Sequence, residues 1–365
     1  MLRQFKYRKY HWCDHFCRAA WLALAALLLS CMPLRAMADL MLFPAVMWTQ
    51  RSSIDNPTGD LKEYQLTPQL DIFYSADRGR LRFLGEVITS TEEPIDVERL
   101  QIGWLASSDT TLWLGRHHIP LGYWNTQFHH GAYLQNAVTR PAISEFEDDG
   151  GILPTHITGL LVEGDVTANP ALSYVFSLGL GPSLDHGEGL EPVDLLHFST
   201  SDHKLAATLR LSYQPELDTP MDMGIFISHN QIPSNLSGID EIRQNIAGGY
   251  INWEAGALRI ISEVYAVHNN LQGSHSSAGT FLNANLQVEY ALGSSWTLYG
   301  RTENTFSDDS DPYLAQFPDY MHRHNLAGLR LEIDKQQALK LELGAVQLQN
   351  DHFNQLSIEW SAVFP

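Results

Sequence analysis

The chain has 365 residues, with 42 Asp and Glu against 23 Lys and Arg, a formal charge of −19. Such acidity argues against nucleic acid or a run of phosphates as the main partner. All three cysteines, Cys13, Cys17 and Cys31, lie near the start, so the rest of the chain must be held by hydrogen bonding and burial rather than disulfides.

Residues 1–38 read as a cleaved secretory signal peptide. Arg3, Lys6, Arg8, Lys9 and Arg18 precede the apolar run 19–29, and Ala36-Met37-Ala38 precedes Asp39. The run is too short for a membrane-spanning helix, which needs ~20 apolar residues. Six of the basic residues and one of the acids fall in this segment, which leaves 17 and 41 beyond it, a net charge of −24. Residues 39–365 form one expected domain.

After Ala38 no capped helical pattern stands out. Sixteen extended runs begin near Met41, Thr67, Arg80, Val97, Thr110, His156, Ala171, His203, Pro220, Gln244, Ala257, Gly279, Trp296, Arg323, Gln337 and Phe353. In 205–213, Leu205, Ala207, Leu209, Leu211 and Tyr213 alternate with Ala206, Thr208, Arg210 and Ser212. In 281–292, Leu282, Ala284, Leu286, Val288 and Tyr290 alternate with Asn283, Asn285, Gln287 and Glu289. A period of two gives a strand with one apolar and one polar face.

The connections alternate as well. Even-numbered runs end in tight turns, at 77–79, 107–109, 167–170, 216–218, 255–256, 293–295 and 334–335. Most odd-numbered runs end in longer segments, at 51–66, 118–155, 182–202, 232–243, 269–278 and 305–322. This segregation fits a closed all-β transmembrane barrel with its short turns on the periplasmic side. Polar faces rich in Arg, Glu, Asn and Gln suit a watery lumen better than a sandwich core.

The last run closes the argument on fold. Leu356, Ile358, Trp360, Ala362 and Phe364 alternate with Ser357, Glu359 and Ser361. This pattern resembles the closing strand of bacterial outer-membrane β-barrels, except that Pro365 follows the aromatic residue. The resemblance implies the outer membrane of a Gram-negative bacterium. It also implies contact with outer-membrane lipid, lipopolysaccharide and the barrel assembly machinery, and allows a homotrimer. In sixteen-stranded porins the loop after the fifth strand folds inward and sets the constriction, and 118–155 occupies that place. The stretch Leu112-Trp-Leu-Gly115-Arg116-His117-His118-Ile-Pro120-Leu-Gly122 resembles the phosphate-selective porin family. That family's phosphate path is a line of lysines, whereas only Lys62, Lys204, Lys335 and Lys340 follow the signal segment, so the resemblance carries the barrel alone.

Candidate functional residues follow from this layout. Glu145, Glu147, Asp148 and Asp149 place four acids within five residues of the long loop, with Arg116 and Arg140 nearby, as a candidate constriction. Arg82, Arg99, Arg210, Arg259, Arg301, Arg330, Glu289 and Glu303 fall on predicted inner faces, as do Glu86, Glu263, Glu332, Glu342 and Glu359. Such residues either set a field across the lumen or brace neighbouring strands. His117, His129 and His130 are metal-ligand candidates, although adjacent residues of one strand point to opposite faces. No Gly-x-Ser-x-Gly elbow or phosphate-cradling Gly-x4-Gly-Lys is present, and neither enzymatic activity nor a cofactor is expected. The expected function is a porin-like channel for passive diffusion of small hydrophilic solutes, favouring cations or neutral polar molecules. The alternatives are metal-ion binding or uptake through the His-rich loop, and a plugged structural or adhesive barrel.

Overall fold

The computed structural model describes residues 37–52, 61–91, 95–128, 131–147, 150–185, 189–195, 203–215, 221–274, 276–307 and 311–365. Residues 1–36 of the expected signal segment 1–38, His129, His130, Asp148, Asp149 and the turn 216–218 lie outside the described residues.

The described strands are β1 (Met37–Arg51), β2 (Tyr64–Arg78), β3 (Leu81–Ser90), β4 (Asp96–Leu105), β5 (Thr110–His118), β6 (His156–Val166), β7 (Asn169–Leu180), β8 (Ser183–Asp185) and β9 (Gly189–Glu191). They continue with β10 (Leu205–Tyr213), β11 (Met221–Pro233), β12 (Glu241–Ala255), β13 (Leu258–Gln272), β14 (Ser277–Leu292), β15 (Trp296–Phe306), β16 (Arg323–Glu332), β17 (Gln337–Gln347) and β18 (His352–Ala362). Sixteen of them form one closed antiparallel barrel, each paired with its chain neighbours, and β8–β9 is a separate hairpin within the connection from β7 to β10.

The ring closes where β1 pairs with β18, from Ala45↔Ser361 to Arg51↔Gln355. Phe364 extends the closure by exchanging both backbone hydrogen bonds with Leu42, at 2.8 and 2.9 Å. Pro365 has no N–H to offer and follows the last ladder bond, so it leaves the closure intact. Closure removes the unpaired edge that any open sheet presents.

Alternation decides what each strand shows to its surroundings. Along β10, Ala206, Thr208, Arg210 and Ser212 are buried, whereas Leu205, Leu211 and Tyr213 are exposed. Along β14, Phe281, Asn283, Asn285, Gln287 and Glu289 are buried and Leu282, Leu286, Val288 and Tyr290 are exposed. The outward residues form a continuous apolar band, far larger than a water-soluble monomer leaves uncovered, and hydrocarbon is the solvent it suits. Exposed Trp104, Tyr213, Trp253, Tyr290 and Trp296 gather at the short-turn end, and exposed Tyr64 and Phe306 at the other. Rings at both rims are the amphipathic belt of a membrane interface.

The two-residue turns 79–80 and 256–257 place Gly79 and Gly256 first, each at φ +62. Positive φ at that position matches the twist of the flanking strands, and glycine adopts it without steric cost.

The strand starts agree with the sequence expectation to within four residues. Two expected loops shrink most, 232–243 to 234–240 and 269–278 to 273–276, because β11 to β14 run 13 to 16 residues. The pairing Asn269↔Gly279, Asn270↔Ala278 continues the ladder through polar residues that read as loop. Backbone pairing does not need apolar side chains once the neighbouring strand is in place. The hairpin β8–β9 was not foreseen, since strands of three residues carry too little periodicity to read.

Candidate functional site: a loop held across the barrel

The connection 119–155 leaves β5 and returns at β6. Among its described residues are one helical turn, Trp124–Gln127, and two 3₁₀ turns, Ala132–Leu134 and Ala142–Ser144. Its apolar residues Ile119, Leu121, Trp124, Ile143, Ile152 and Leu153 are almost fully buried, in one cluster with Tyr265, Phe281 and Tyr299 of the barrel wall. A mostly non-regular segment leaves many backbone groups unpaired, and each needs a partner if buried. The wall supplies them.

Carboxylates on β13, β15 and β17 each accept from loop amides. Glu263 on β13 takes the N–H groups of Tyr123 and Trp124, the latter at 2.9 Å. Glu303 on β15 takes those of Ala142 and Ile143, at 2.8 and 3.0 Å. Glu342 on β17 takes Val138 N–H at 3.0 Å and the Thr139 hydroxyl at 2.7 Å. Three cations donate to loop carbonyls. Arg301 reaches Thr139 and Arg140 at 2.8 and 2.7 Å, and Arg330 reaches Tyr133 and Gln135 at 2.6 and 2.8 Å. Lys340 donates to the Ala132 carbonyl and pairs with Glu359 at 2.8 Å.

These contacts locate the loop. In the closed ring β15 lies eight strands from β5 in either direction, directly opposite. Tyr133 donates its hydroxyl to the carbonyl of Lys335 at 3.0 Å, and Lys335 sits in the short turn between β16 and β17. A segment that starts at the long-loop end therefore reaches the far rim.

Other expected wall residues have different partners. Glu289 accepts from Asn136 of the loop at 2.6 Å. Arg259 donates to the Tyr123 hydroxyl at 2.9 Å and pairs with Glu254 at 3.2 Å. Burial raises the pKa of the Tyr123 phenol above its ordinary value, although Arg259 acts to lower it. Arg99 pairs with Glu86, Arg330 with Glu332, and Arg210 lies over the Tyr250 ring within reach of Asp222. Arg82 is half-exposed beside Asp77 at the short-turn end, away from the loop.

The expected constriction residues are only partly brought together. Arg140 folds back on its own loop, donating to the Phe128 and Ser144 carbonyls and stacking on Phe146 at 4.1 Å. Glu145 is half-buried. Glu147 is buried and accepts from Thr155 N–H at 2.8 Å and from His156 at 2.7 Å. Arg116 is buried too, paired with Asp96 at 3.2 Å and donating to the Val193 carbonyl. His117 hydrogen-bonds Ser177 at 2.7 Å, while its neighbour His118 approaches Glu98 on the opposite flank of β5. The expectation that adjacent histidines diverge is met. Sequence reasoning missed Lys340, Asp71 and Glu98 altogether. Asp71, which accepts from Gly131 N–H at 3.0 Å, carried a signal as an acid at an inward position of an alternating strand.

No protein-family model and no curated protein matches the sequence. Solved structures do. The outer membrane channel DcaP of Acinetobacter baumannii is 12% identical with a TM-score of 0.62, over 91% of this chain and 99% of that one. The fold is that of the outer-membrane porins. An anion-selective porin from Comamonas acidovorans is 11% identical with a TM-score of 0.58, over 90% and 100% of the two chains. The trimer form of OmpT, an outer membrane protein of Vibrio cholerae, is 9% identical with a TM-score of 0.56, over 90% and 99%. The expected porin-like, outer-membrane barrel agrees with this shared fold and with the apolar outer band.

Proposed function

We propose that the protein is an outer-membrane channel for passive diffusion of small hydrophilic solutes, with loop 119–155 as its constriction and no enzymatic activity. The observation that carries this reading is the chain of loop contacts, from Glu263, Glu303 and Glu342 on one wall to the far-rim turn at Lys335. A loop fixed by charge-assisted hydrogen bonds gives a narrow path of constant width, as a diffusion filter needs. Ions and polar solutes are the natural cargo of a lumen walled by Arg, Glu, Asn and Gln.

The acid excess of the chain makes cations and neutral polar molecules the favoured solutes. Glu145, Asp148 and Asp149 are the acids proposed to set this preference. Glu147 contributes less, since its oxygens already accept from Thr155 and His156. A homotrimer embedded in lipid and lipopolysaccharide is the proposed assembly.

Planar-bilayer recording tests the reading. Purified protein should give steady conductance whose reversal potential under a salt gradient is cation-selective. Changing Glu145 to Gln together with Asp148 and Asp149 to Asn should shift that potential toward anions. The shift should be larger at low salt, where the screening length exceeds the ~8 Å of physiological solutions. Steady conductance with an unmoved reversal potential would remove these acids from the ion path. Electrical silence would favour the plugged barrel, which a loop spanning the full height also permits.

A further inference from the structure

The end of the long loop meets the wall at a cluster that the channel reading does not use. Glu98 on β4, His118 on β5 and His156 on β6 offer ligand atoms that all lie within 4.8 Å of one another. All three residues are buried. We propose that Glu98, His118 and His156 bind one divalent transition-metal ion, of which zinc is the type.

Geometry carries the proposal. His118 and His156 are directly paired across β5 and β6, and β4 is the next strand of the ladder. The sheet therefore brings the three side chains together, although they are separated by up to 58 residues. Both imidazole Nε2 atoms converge on one oxygen, Oε2 of Glu98, at 2.8 Å from His156 and 3.5 Å from His118. The second distance is too long for a good hydrogen bond. It is close to the separation of two ligands on a tetrahedral ion, about 3.4 Å for bonds of 2.0–2.2 Å. Two nitrogens and a carboxylate oxygen form a donor set suited to zinc and its neighbours, with a coordination position left for water.

The surroundings complete it. Nδ1 of His156 faces Oε2 of Glu147 at 2.7 Å. A carboxylate on the far nitrogen fixes the tautomer that leaves Nε2 free to ligate, and it raises the ligand's basicity. Charge agrees as well. The two nearby guanidiniums have their own acids, Arg99 with Glu86 and Arg116 with Asp96. Glu98 and Glu147 are then two buried carboxylates facing two imidazoles, and a divalent ion balances them where a single imidazolium would leave one charge over. The Glu98–His156–Glu147 chain alone accounts for His156, but not for the convergence of His118 on the same oxygen.

Such an ion would grip the end of the long loop through Glu147, pinning it to β4, β5 and β6. The site is independent of solute passage, and the test reads metal rather than conductance. The full chain is refolded into detergent with zinc, or with cobalt(II) as a spectroscopic probe, then freed of loose metal. One ion per chain is expected, with the visible absorption of low-coordinate cobalt. Changing both His118 and His156 to Ala should abolish stoichiometric binding, while His117→Asn leaves it unchanged. Glu147→Gln should keep the stoichiometry and weaken binding by roughly 10–100-fold. Barrel folding is checked by heat-dependent gel mobility. If the double variant fails to fold, His118→Gln, which keeps the chain from Glu98 to Glu147, must itself weaken binding by at least about 10-fold. Absence of bound metal in the unaltered protein, or equal affinity in the folded histidine variants, overturns the proposal.

Discussion

At the residue scale, the wall acids matter because of what they accept. Glu303 takes two successive backbone N–H groups, from Ala142 and Ile143, and also the Asn283 side chain at 3.1 Å. Removing the carboxylate strands two buried amides, at a cost on the order of 1–3 kcal/mol each. Glu303→Ala should therefore loosen the loop while leaving the strand ladder intact. The expected result is noisier and larger single-channel current with unchanged heat-dependent gel mobility. Glu303→Gln keeps an acceptor oxygen and should lie between the two. A quiet, unaltered current in Glu303→Ala would mean that the remaining anchors hold the loop without it. Inward orientation of Glu303 was legible from alternation in 296–306, but its partner was not. An acid on an inner face reads the same whether it faces water, a neighbouring strand or a distant loop amide.

At the element scale, the long loop is a folded part rather than a tether. Its helical turn and 3₁₀ turns bury Trp124 and Ile143 against the wall. It meets anchors on five consecutive strands, β13 to β17. Deleting 128–149 removes Ile143 and the anchors to Glu289, Glu303, Arg330 and Glu342, while Trp124 stays. If the barrel still assembles, conductance should rise by roughly two-fold or more, since conductance follows the open section of the pore. The deletion also strips the loop partners from Glu289, Glu303 and Glu342 while Glu263 keeps Tyr123 and Trp124, and selectivity should then move further toward cations. Unchanged conductance would place the rate-limiting narrowing elsewhere. The loop's length and its position after the fifth strand were readable as a candidate for inward folding. Its depth was not, because the contact between Tyr133 and Lys335 joins residues about 200 positions apart that share no pattern.

At the scale of the whole molecule, the outer surface sets the environment. An apolar band between two aromatic belts leaves the folded barrel stable only in lipid or detergent. The proposed homotrimer would bury part of that band between copies, and the shared fold with an outer membrane protein solved in a trimer form motivates the proposal. Light scattering in mild detergent should give three times the chain's mass, with dissociation to single chains on heating. A stable single-chain particle at all protein concentrations would remove the trimer.

The sequence by itself determined the architecture. Period-two alternation and the segregation of short from long connections are local properties, and closing such strands into a ring is the way to pair every edge in a membrane. The strand starts, the inward faces of Arg301, Arg330 and Glu303, and the closing role of Phe364 follow from that logic. The tertiary structure alone decided the pairings across the lumen and around the wall: Arg301 with the Thr139 carbonyl, Lys340 with Ala132, and His118 beside His156 and Glu98. The physical reason is that alternation assigns a side chain to a face and leaves its height and partner open. Those depend on strand register and on the path of one irregular loop, which the sum of many weak contacts sets and no short stretch of sequence encodes.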